Sequence, residues 1–178
     1  MLRITCLSAS LLILSACSPA NPHADFMSNM KSLCAGTFKG SVVSDDPQDE
    51  SWRREELTLG PVICEGEKMS MPLAVGQDRT RIWVIEPKGK QLHFYHIHGH
   101  DGVEDAVSRY GGLSVIKSGV KAQFPVDKFS QDLFRREGLD VSVTNVWQFD
   151  IAPGALLVYE LNRDGRHFRA EFDLGVQR

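Results

Sequence analysis

The last third of the chain alternates apolar and polar residues with a period of two. The odd-numbered residues of the stretch 141–151 are Val141, Val143, Asn145, Trp147, Phe149 and Ile151. Residues 168–174 show the same alternation of apolar and polar side chains. Residues 155–161 between them are apolar on both faces except for Glu160. Successive side chains of a strand point to opposite faces of a sheet. The pattern therefore predicts three antiparallel strands joined at Pro153-Gly154 and at Asn162–Gly165, with the middle strand central in the sheet.

The first two thirds of the chain contain further short strand patterns. A strand over 81–86 turns at residues 87–90 into a strand that carries four of the six histidines. The acidic run 44–50 is interpreted as an exposed hairpin tip, and Arg53 to Glu56 as a solvated strand face. The remaining strands are predicted at residues 36–43, 52–59, 62–71, 113–117 and 120–124.

One segment has the signals of a substantial helix. Asp127 is placed to cap a helix over 127–137, Arg135 and Arg136 suit its C-terminal dipole, and Gly138 ends it. A shorter helix is expected near the N-terminus, where Asp25 precedes an apolar stripe of Phe26, Met30 and Leu33.

These elements predict a mainly β fold in a single domain over residues 25–178. About nine or ten short strands follow one another by hairpin connections, with one inserted helix and a short N-terminal helix. Helices do not alternate with strands, which argues against a parallel sheet and favours an antiparallel barrel or sandwich. A chain of 178 residues is long enough to bury a sizeable core.

The histidine strand is the main candidate for a functional site. Leu92, Phe94, His96, His98 and His100 share one face of it, whereas His93, Tyr95 and Ile97 share the other. The apolar residues of the first face predict that His96 and His98 line the interior of the barrel or its mouth. The candidate ligand-binding residues are therefore His96, His98 and the neighbouring Tyr95.

The N-terminus resembles the lipobox of bacterial lipoproteins. Residues 1–16 contain Arg3 and an apolar run that ends at Leu14-Ser15-Ala16-Cys17, and the run is too short to span a membrane. The resemblance implies that residues 1–16 are a signal peptide and that Cys17 is acylated and anchors the protein to a membrane. Residues 17–24 are then a tether. The alternative is an ordinary secretory signal with an incidental cysteine.

The same resemblance implies a location and a disulfide. A bacterial cell-envelope location follows, and Ser18 in place of the usual retention Asp favours the outer membrane, facing the periplasm. With Cys17 lipidated, Cys34 and Cys64 remain in an oxidising compartment and are expected to pair, the alternative being two buried free thiols. Such a bridge closes a loop of about 30 residues and contributes roughly 3–4 kcal/mol.

Part of the histidine strand also resembles the first cupin motif. That motif places two histidines one residue apart before a Glu and a Gly, which here are His98, His100, Glu104 and Gly111. The resemblance implies a divalent transition metal as a cofactor, with His96, His98, His100 and Glu104 as candidate ligands. A cupin-like metal-binding protein or metalloenzyme is thus one interpretation of the chain.

A second resemblance favours a binding protein. Gly36-Thr37-Phe38 after a short helix resembles the Gly-x-Trp start of lipocalin-type barrels, with Phe in place of Trp. It implies a lipid-anchored, calycin-like barrel that binds a small molecule, and a protein partner is the alternative. A net charge of −3 without a long basic run argues against nucleic acid. The sequence has neither a Gly-x-Ser-x-Gly nor a His-Glu-x-x-His motif, so hydrolytic chemistry is not favoured.

Overall fold

The architecture is one large, strongly curved antiparallel sheet. A computed structural model describes residues 21–175. Its helices are α1 (Pro22–Lys31), α2 (Glu50–Arg53) and α3 (Lys128–Arg136), with 3₁₀ helices at Pro47–Asp49 and Asp140–Thr144. Within these residues the thirteen strands are β1 (Phe38–Val42), β2 (Leu57–Leu59), β3 (Ile63–Glu65), β4 (Lys68–Val75), β5 (Asp78–Lys88), β6 (Gln91–His100), β7 (Val103–Glu104), β8 (Gly111–Leu113), β9 (Val115–Ser118), β10 (Lys121–Pro125), β11 (Val146–Ala152), β12 (Leu156–Arg163) and β13 (Arg166–Asp173).

The strands follow the order β7-β6-β5-β4-β2-β1-β13-β12-β11-β10-β9, with β3 beside β4 and β8 beside β6. Along this path the ladder does not close into a complete barrel. An isolated antiparallel bridge between Gly112 and Val126 nevertheless joins β8 to the residue after β10. The sheet therefore curls until its two ends meet through β8.

Two glycines make this meeting possible. A Cβ atom on Gly111 would lie 1.8 Å from the carbonyl oxygen of Phe94, and one on Gly112 would lie 1.8 Å from that of Pro125. Any side chain at either position would collide with the backbone of the neighbouring strand. The Gly111-Gly112 pair thus lets β8 fit between β6 and β10.

The concave face of the sheet holds the core. Odd-numbered residues of β4, β5, β11 and β12 and even-numbered residues of β6, β10 and β13 point inward. The interior near α1 is filled by large side chains that are almost completely buried, among them Phe38, Phe94, Phe124, Phe149 and Phe172. Helix α1 adds Phe26 and Met30 to this core, Leu33 follows just after the helix, and Asn29 of α1 donates a hydrogen bond to the carbonyl of Gly119 at 2.7 Å.

Most of the predicted elements are confirmed. The fold is a mainly β, antiparallel domain with one substantial inserted helix, as the sequence indicates. Asp127 caps α3 by accepting a hydrogen bond from the amide of Ser130, and β5 and β6 form the expected hairpin. Strands β12 and β13 form the predicted final hairpin in regular register.

Some boundaries were predicted wrongly. Residues 141–144 form a 3₁₀ helix instead of the start of a strand, and Val141 is exposed. Residues 62–71 are divided between β3 and β4, so there are more strands than expected. Asn21 caps α1, so the helix begins at Pro22 and includes residues that were predicted to belong to the tether.

The segment 44–54 differs most from its prediction. It was expected to be an exposed hairpin tip followed by a strand over 52–59, but it forms a 3₁₀ helix and then α2. Asp49 is only 2% exposed and forms a bidentate ion pair with Arg166 of β13. The Arg53 guanidinium donates to the carbonyls of Ser44 and Asp46 at 2.9 Å each. This segment, residues 44–54, is called the strap below.

The Cys34–Cys64 disulfide is present and links the end of α1 to β3. No helix in residues 21–175 is both long and apolar enough to cross a bilayer. The predicted signal peptide over 1–16, the lipidated Cys17 and the start of the tether lie outside the described residues.

Candidate functional site

A cavity of about 370 Å³ opens at the end of the sheet opposite α1. The C-terminal ends of β6 and β12 and the N-terminal ends of β5, β11 and β13 surround it, and α3, the second 3₁₀ helix and the strap complete its rim. Strands that run antiparallel bring chain-distant residues to the same end of a sheet, which is why the lining comes from so many segments.

Aromatic side chains form the floor of the cavity. Trp83 and Tyr159 stack with ring centroids 4.1 Å apart, and the edge of the Trp83 ring meets Phe149 beneath them. Trp147 lies beside His96 at 5.2 Å between centroids. Together these rings give the floor flat apolar surfaces, on which a planar ligand can pack.

His96 belongs to this floor and is completely buried. Its Nε2 atom lies 3.0 Å from the Tyr159 hydroxyl, and its Nδ1 atom lies 3.2 Å from the carbonyl oxygen of Tyr110. Because a carbonyl only accepts, Nδ1 carries the proton and Nε2 accepts the hydrogen bond from Tyr159. Burial lowers the pKa of His96 to about 3, so the imidazole is neutral at physiological pH.

His98 lies nearer the mouth and also has a tyrosine partner. The Tyr110 hydroxyl lies 2.9 Å from its Nε2 atom. Burial lowers the pKa of His98, and the charge of Arg81 lowers it further. The inward orientation predicted for His96 and His98 is therefore confirmed, and both are held by tyrosines.

Three arginines stand around the rim. Arg166 pairs with Asp49 and, at 3.2 Å, with Asp46 of the strap. Arg81 pairs with Asp78, and its Cζ atom lies 5.0 Å above the Trp52 ring of the strap. Although burial opposes it, the hydrogen bonds from Arg81 and Thr80 hold the pKa of Asp78 well below its usual range.

The third arginine, Arg163, donates hydrogen bonds only to neutral side chains within residues 21–175. Its Nη1 atom donates to Asn145 Oδ1 at 3.1 Å and to Ser142 Oγ at 3.4 Å. Burial lowers the pKa of Arg163, and the neighbouring charge of Arg166 adds to the effect, whereas Asp46 opposes it. The rim thus contains one guanidinium whose charge is not neutralised by a direct ion pair within residues 21–175.

The other predicted site residues lie elsewhere. Tyr95 is on the outer face of β6, where its hydroxyl lies 3.5 Å from Glu86, and it does not line the cavity. His100 is exposed and pairs with Asp105 at 2.9 Å. Glu104 is exposed on β7 and pairs with Arg109.

The four candidate metal ligands are therefore divided between the cavity and the surface. Nowhere in residues 21–175 do three His, Cys, Asp or Glu side chains group as a metal site. Binding of a metal by His96, His98, His100 and Glu104 stays a prediction, and no step of the proposals below depends on it.

Several cavity residues were not identified from the sequence. Tyr110, Trp147 and Tyr159 come from separate strands and loops that only the folded sheet brings together. Arg163 and Arg166 could have been identified from the sequence. The alternation of each strand places them on its inward face, directly beside the turn. A charged residue at an inward position beside a turn is expected at the mouth of a barrel.

The arrangement is suited to holding a ligand. It combines flat apolar surfaces, imidazole and phenol groups and a rim that contains three arginines inside one concavity, which is the usual composition of a small-molecule site. Within residues 21–175 the hydrogen-bond partners of the two imidazole rings are a backbone carbonyl and two tyrosine hydroxyls, and no carboxylate accepts a hydrogen bond from either ring. No family model matches the chain, and no curated protein or solved structure is significantly similar to it.

Proposed function

We propose that this protein binds a small molecule with a planar, apolar ring system in the cavity at the mouth of its β domain. The observation that carries the proposal is the aromatic floor of a concavity of about 370 Å³. Ligand pockets span roughly 300–1,000 Å³, so the expected ligand is small. A completely filled interior would instead have favoured a partner-binding role.

Binding is favoured over catalysis by the state of His96, the histidine in the floor of the cavity. His96 uses both ring nitrogens for hydrogen bonds inside the protein, and its low pKa leaves it uncharged. A general base needs a pKa near the working pH and an accessible nitrogen. His96 has neither property, so its role is to fix Tyr159 in the floor.

A dye titration tests the proposal. N-phenylnaphthylamine is a neutral, aromatic dye that becomes fluorescent in apolar surroundings. For a ligand of this size we expect a Kd on the order of 100 μM at one site per chain. Val107 lines the cavity and is half-buried, so Val107→Trp should fill the space and abolish binding.

Val103→Trp is the matched control, because Val103 is exposed and lies outside the cavity. It should bind the dye as the unaltered protein does. Absence of saturable binding, or equal loss in both variants, would remove the basis for a binding function at this site.

We further propose that the domain works on a membrane of the bacterial cell envelope, anchored through lipidated Cys17. Support comes from the Leu14–Cys17 sequence, and the Cys34–Cys64 disulfide agrees with an oxidising compartment. Cys17→Ser should leave an unprocessed precursor or release the domain from membranes. Membrane association of processed Cys17→Ser protein in a fractionation experiment would contradict the anchor.

A further inference from the structure

The rim arginines differ in how their charges are balanced. Arg166 contacts the carboxylates of Asp49 and Asp46, and Arg81 contacts that of Asp78. Arg163 pairs with no carboxylate within residues 21–175, although it is half-buried and lines the same cavity. Carboxylates and guanidiniums are equal in number here, but Arg163 is the rim arginine without a direct carboxylate contact within residues 21–175.

The geometry of Arg163 leaves part of its guanidinium available to a ligand. Both of its side-chain hydrogen bonds leave from Nη1, toward Ser142 and Asn145, and these residues also line the cavity. Among residues 21–175, Nη2 and Nε have no hydrogen-bond acceptor. An edge of a guanidinium with two free N–H groups matches the two oxygens of a carboxylate or sulfonate.

We propose that the ligand is an organic monoanion, a carboxylate or sulfonate carried on a planar apolar ring, and that Arg163 binds its acidic group. This inference rests on the proposed binding function of the same cavity. The ring packs against Trp83, Trp147 and Tyr159, and the acidic group reaches the rim.

The balance of charge favours a monoanion over a phosphate dianion. Among the three rim arginines, only Arg163 has no direct ion pair within residues 21–175, and a second negative charge on the ligand would be repelled by Asp49, which also lines the cavity. A single anionic group on a ring therefore gives the Arg163 guanidinium the direct partner that it lacks, with less excess negative charge in the half-buried site than a dianion would bring.

Two dyes of nearly identical shape separate this proposal from the binding function itself. Anilinonaphthalenesulfonate is N-phenylnaphthylamine with an added sulfonate. The unaltered protein should bind the anionic dye at least about tenfold more tightly than the neutral one. Arg163→Gln should abolish this preference, so that the Kd of the anionic dye rises to about that of the neutral dye in the same variant, and continued saturable binding of the neutral dye shows that the variant is folded.

Two further variants define the cause. Arg163→Lys keeps the charge but loses the bidentate N–H edge, so it should retain only part of the preference. Arg135→Gln removes an exposed arginine of α3 that does not line the cavity, and it should bind both dyes as the unaltered protein does.

The possible results are distinguishable. Equal affinity of the unaltered protein for the two dyes, or an unchanged preference in Arg163→Gln, would overturn the monoanion proposal while the binding function stands. Equal loss of preference in Arg135→Gln would also overturn it, because the effect would then be one of overall charge. If neither dye binds, both proposals fail.

Discussion

The Nε2 atom of His96 lies 3.0 Å from the hydroxyl oxygen of Tyr159, on the completely buried floor of the cavity. With the Tyr110 carbonyl on the other ring nitrogen, one tautomer satisfies the imidazole entirely. The contact joins β6 to β12 across the interior, between residues 63 positions apart in the chain. This contact holds the His96 imidazole in the floor of the cavity, the surface that a ligand would touch.

The state of His96 can be measured by nitrogen-15 NMR of the imidazole groups. We expect the Nδ1-protonated tautomer and no titration between about pH 5 and 8, because burial lowers the pKa to about 3. The exposed His100 is an internal control, since its hydrogen bond to Asp105 raises its pKa and it should titrate above its ordinary value. A His96 signal that titrates with that of His100 would contradict the buried, neutral assignment.

His96 should also make the fold sensitive to acid. Its pKa is about 3 when folded and 6.5 ordinarily, so only the unfolded chain takes up this proton between those values. Above about pH 6.5 this proton does not lower the free energy of unfolding. As the pH falls from there toward 3, the free energy of unfolding decreases by roughly 1.4 kcal/mol per pH unit. Urea unfolding at several pH values should show a shallower acid slope for His96→Gln. Identical slopes in the two proteins would disprove the assignment.

Elements with local signals could be predicted from the sequence. Helix α3 has its cap at Asp127 and its end at Gly138, and the β5–β6 hairpin turns at Gly89, which has a positive φ of 63°. These residues act on their immediate neighbours. Their effect is therefore visible in a short stretch of chain.

The strap could not be predicted, because its conformation depends on distant residues. The acidic run looked solvated, but Asp49 is buried by Arg166, which lies 117 positions later in the chain. Val141 and Val143 led to the opposite error. They continue the alternation of the following strand, so a strand was predicted, but they belong to a 3₁₀ helix. The cavity was likewise only half predicted: His96 and His98 were identified on one strand, but their tyrosine and arginine neighbours come from other strands.

The Asp49–Arg166 pair should hold the strap in place. Asp49 is 2% exposed and also accepts a hydrogen bond from Ser44 at 2.6 Å. Asp49→Ala leaves Arg166 with Asp46 alone, and we expect a loss of about 3 kcal/mol in unfolding free energy. The adjacent Glu50→Ala breaks an exposed pair with Arg54 and should cost less than about 1 kcal/mol. Similar small losses in both variants, measured by urea unfolding, would show that the strap does not depend on this pair.

The disulfide gives a further prediction. Replacing both Cys34 and Cys64 with alanine should lower the unfolding free energy by roughly 3–4 kcal/mol, because the unfolded chain loses a loop closed over 30 positions. Mass spectrometry of unreduced peptides should find the two cysteines linked in the purified protein. Free thiols at both positions in protein from the cell envelope would refute the pairing.

The close approach of Gly112 to the backbone of β10 gives the last prediction. Gly112→Ala would place a Cβ atom 1.8 Å from the Pro125 carbonyl oxygen, so β8 must move away from β10. We expect a loss of about 3 kcal/mol or more. Gly89→Ala has open space and only the strain of a positive φ, which costs about 1–2 kcal/mol.

Hydrogen exchange adds a local measurement, because the Asp127 amide donates to the Gly111 carbonyl at 2.9 Å and should lose protection in Gly112→Ala alone. If that amide stays protected and the two variants are equally stable, β8 does not join the two ends of the sheet.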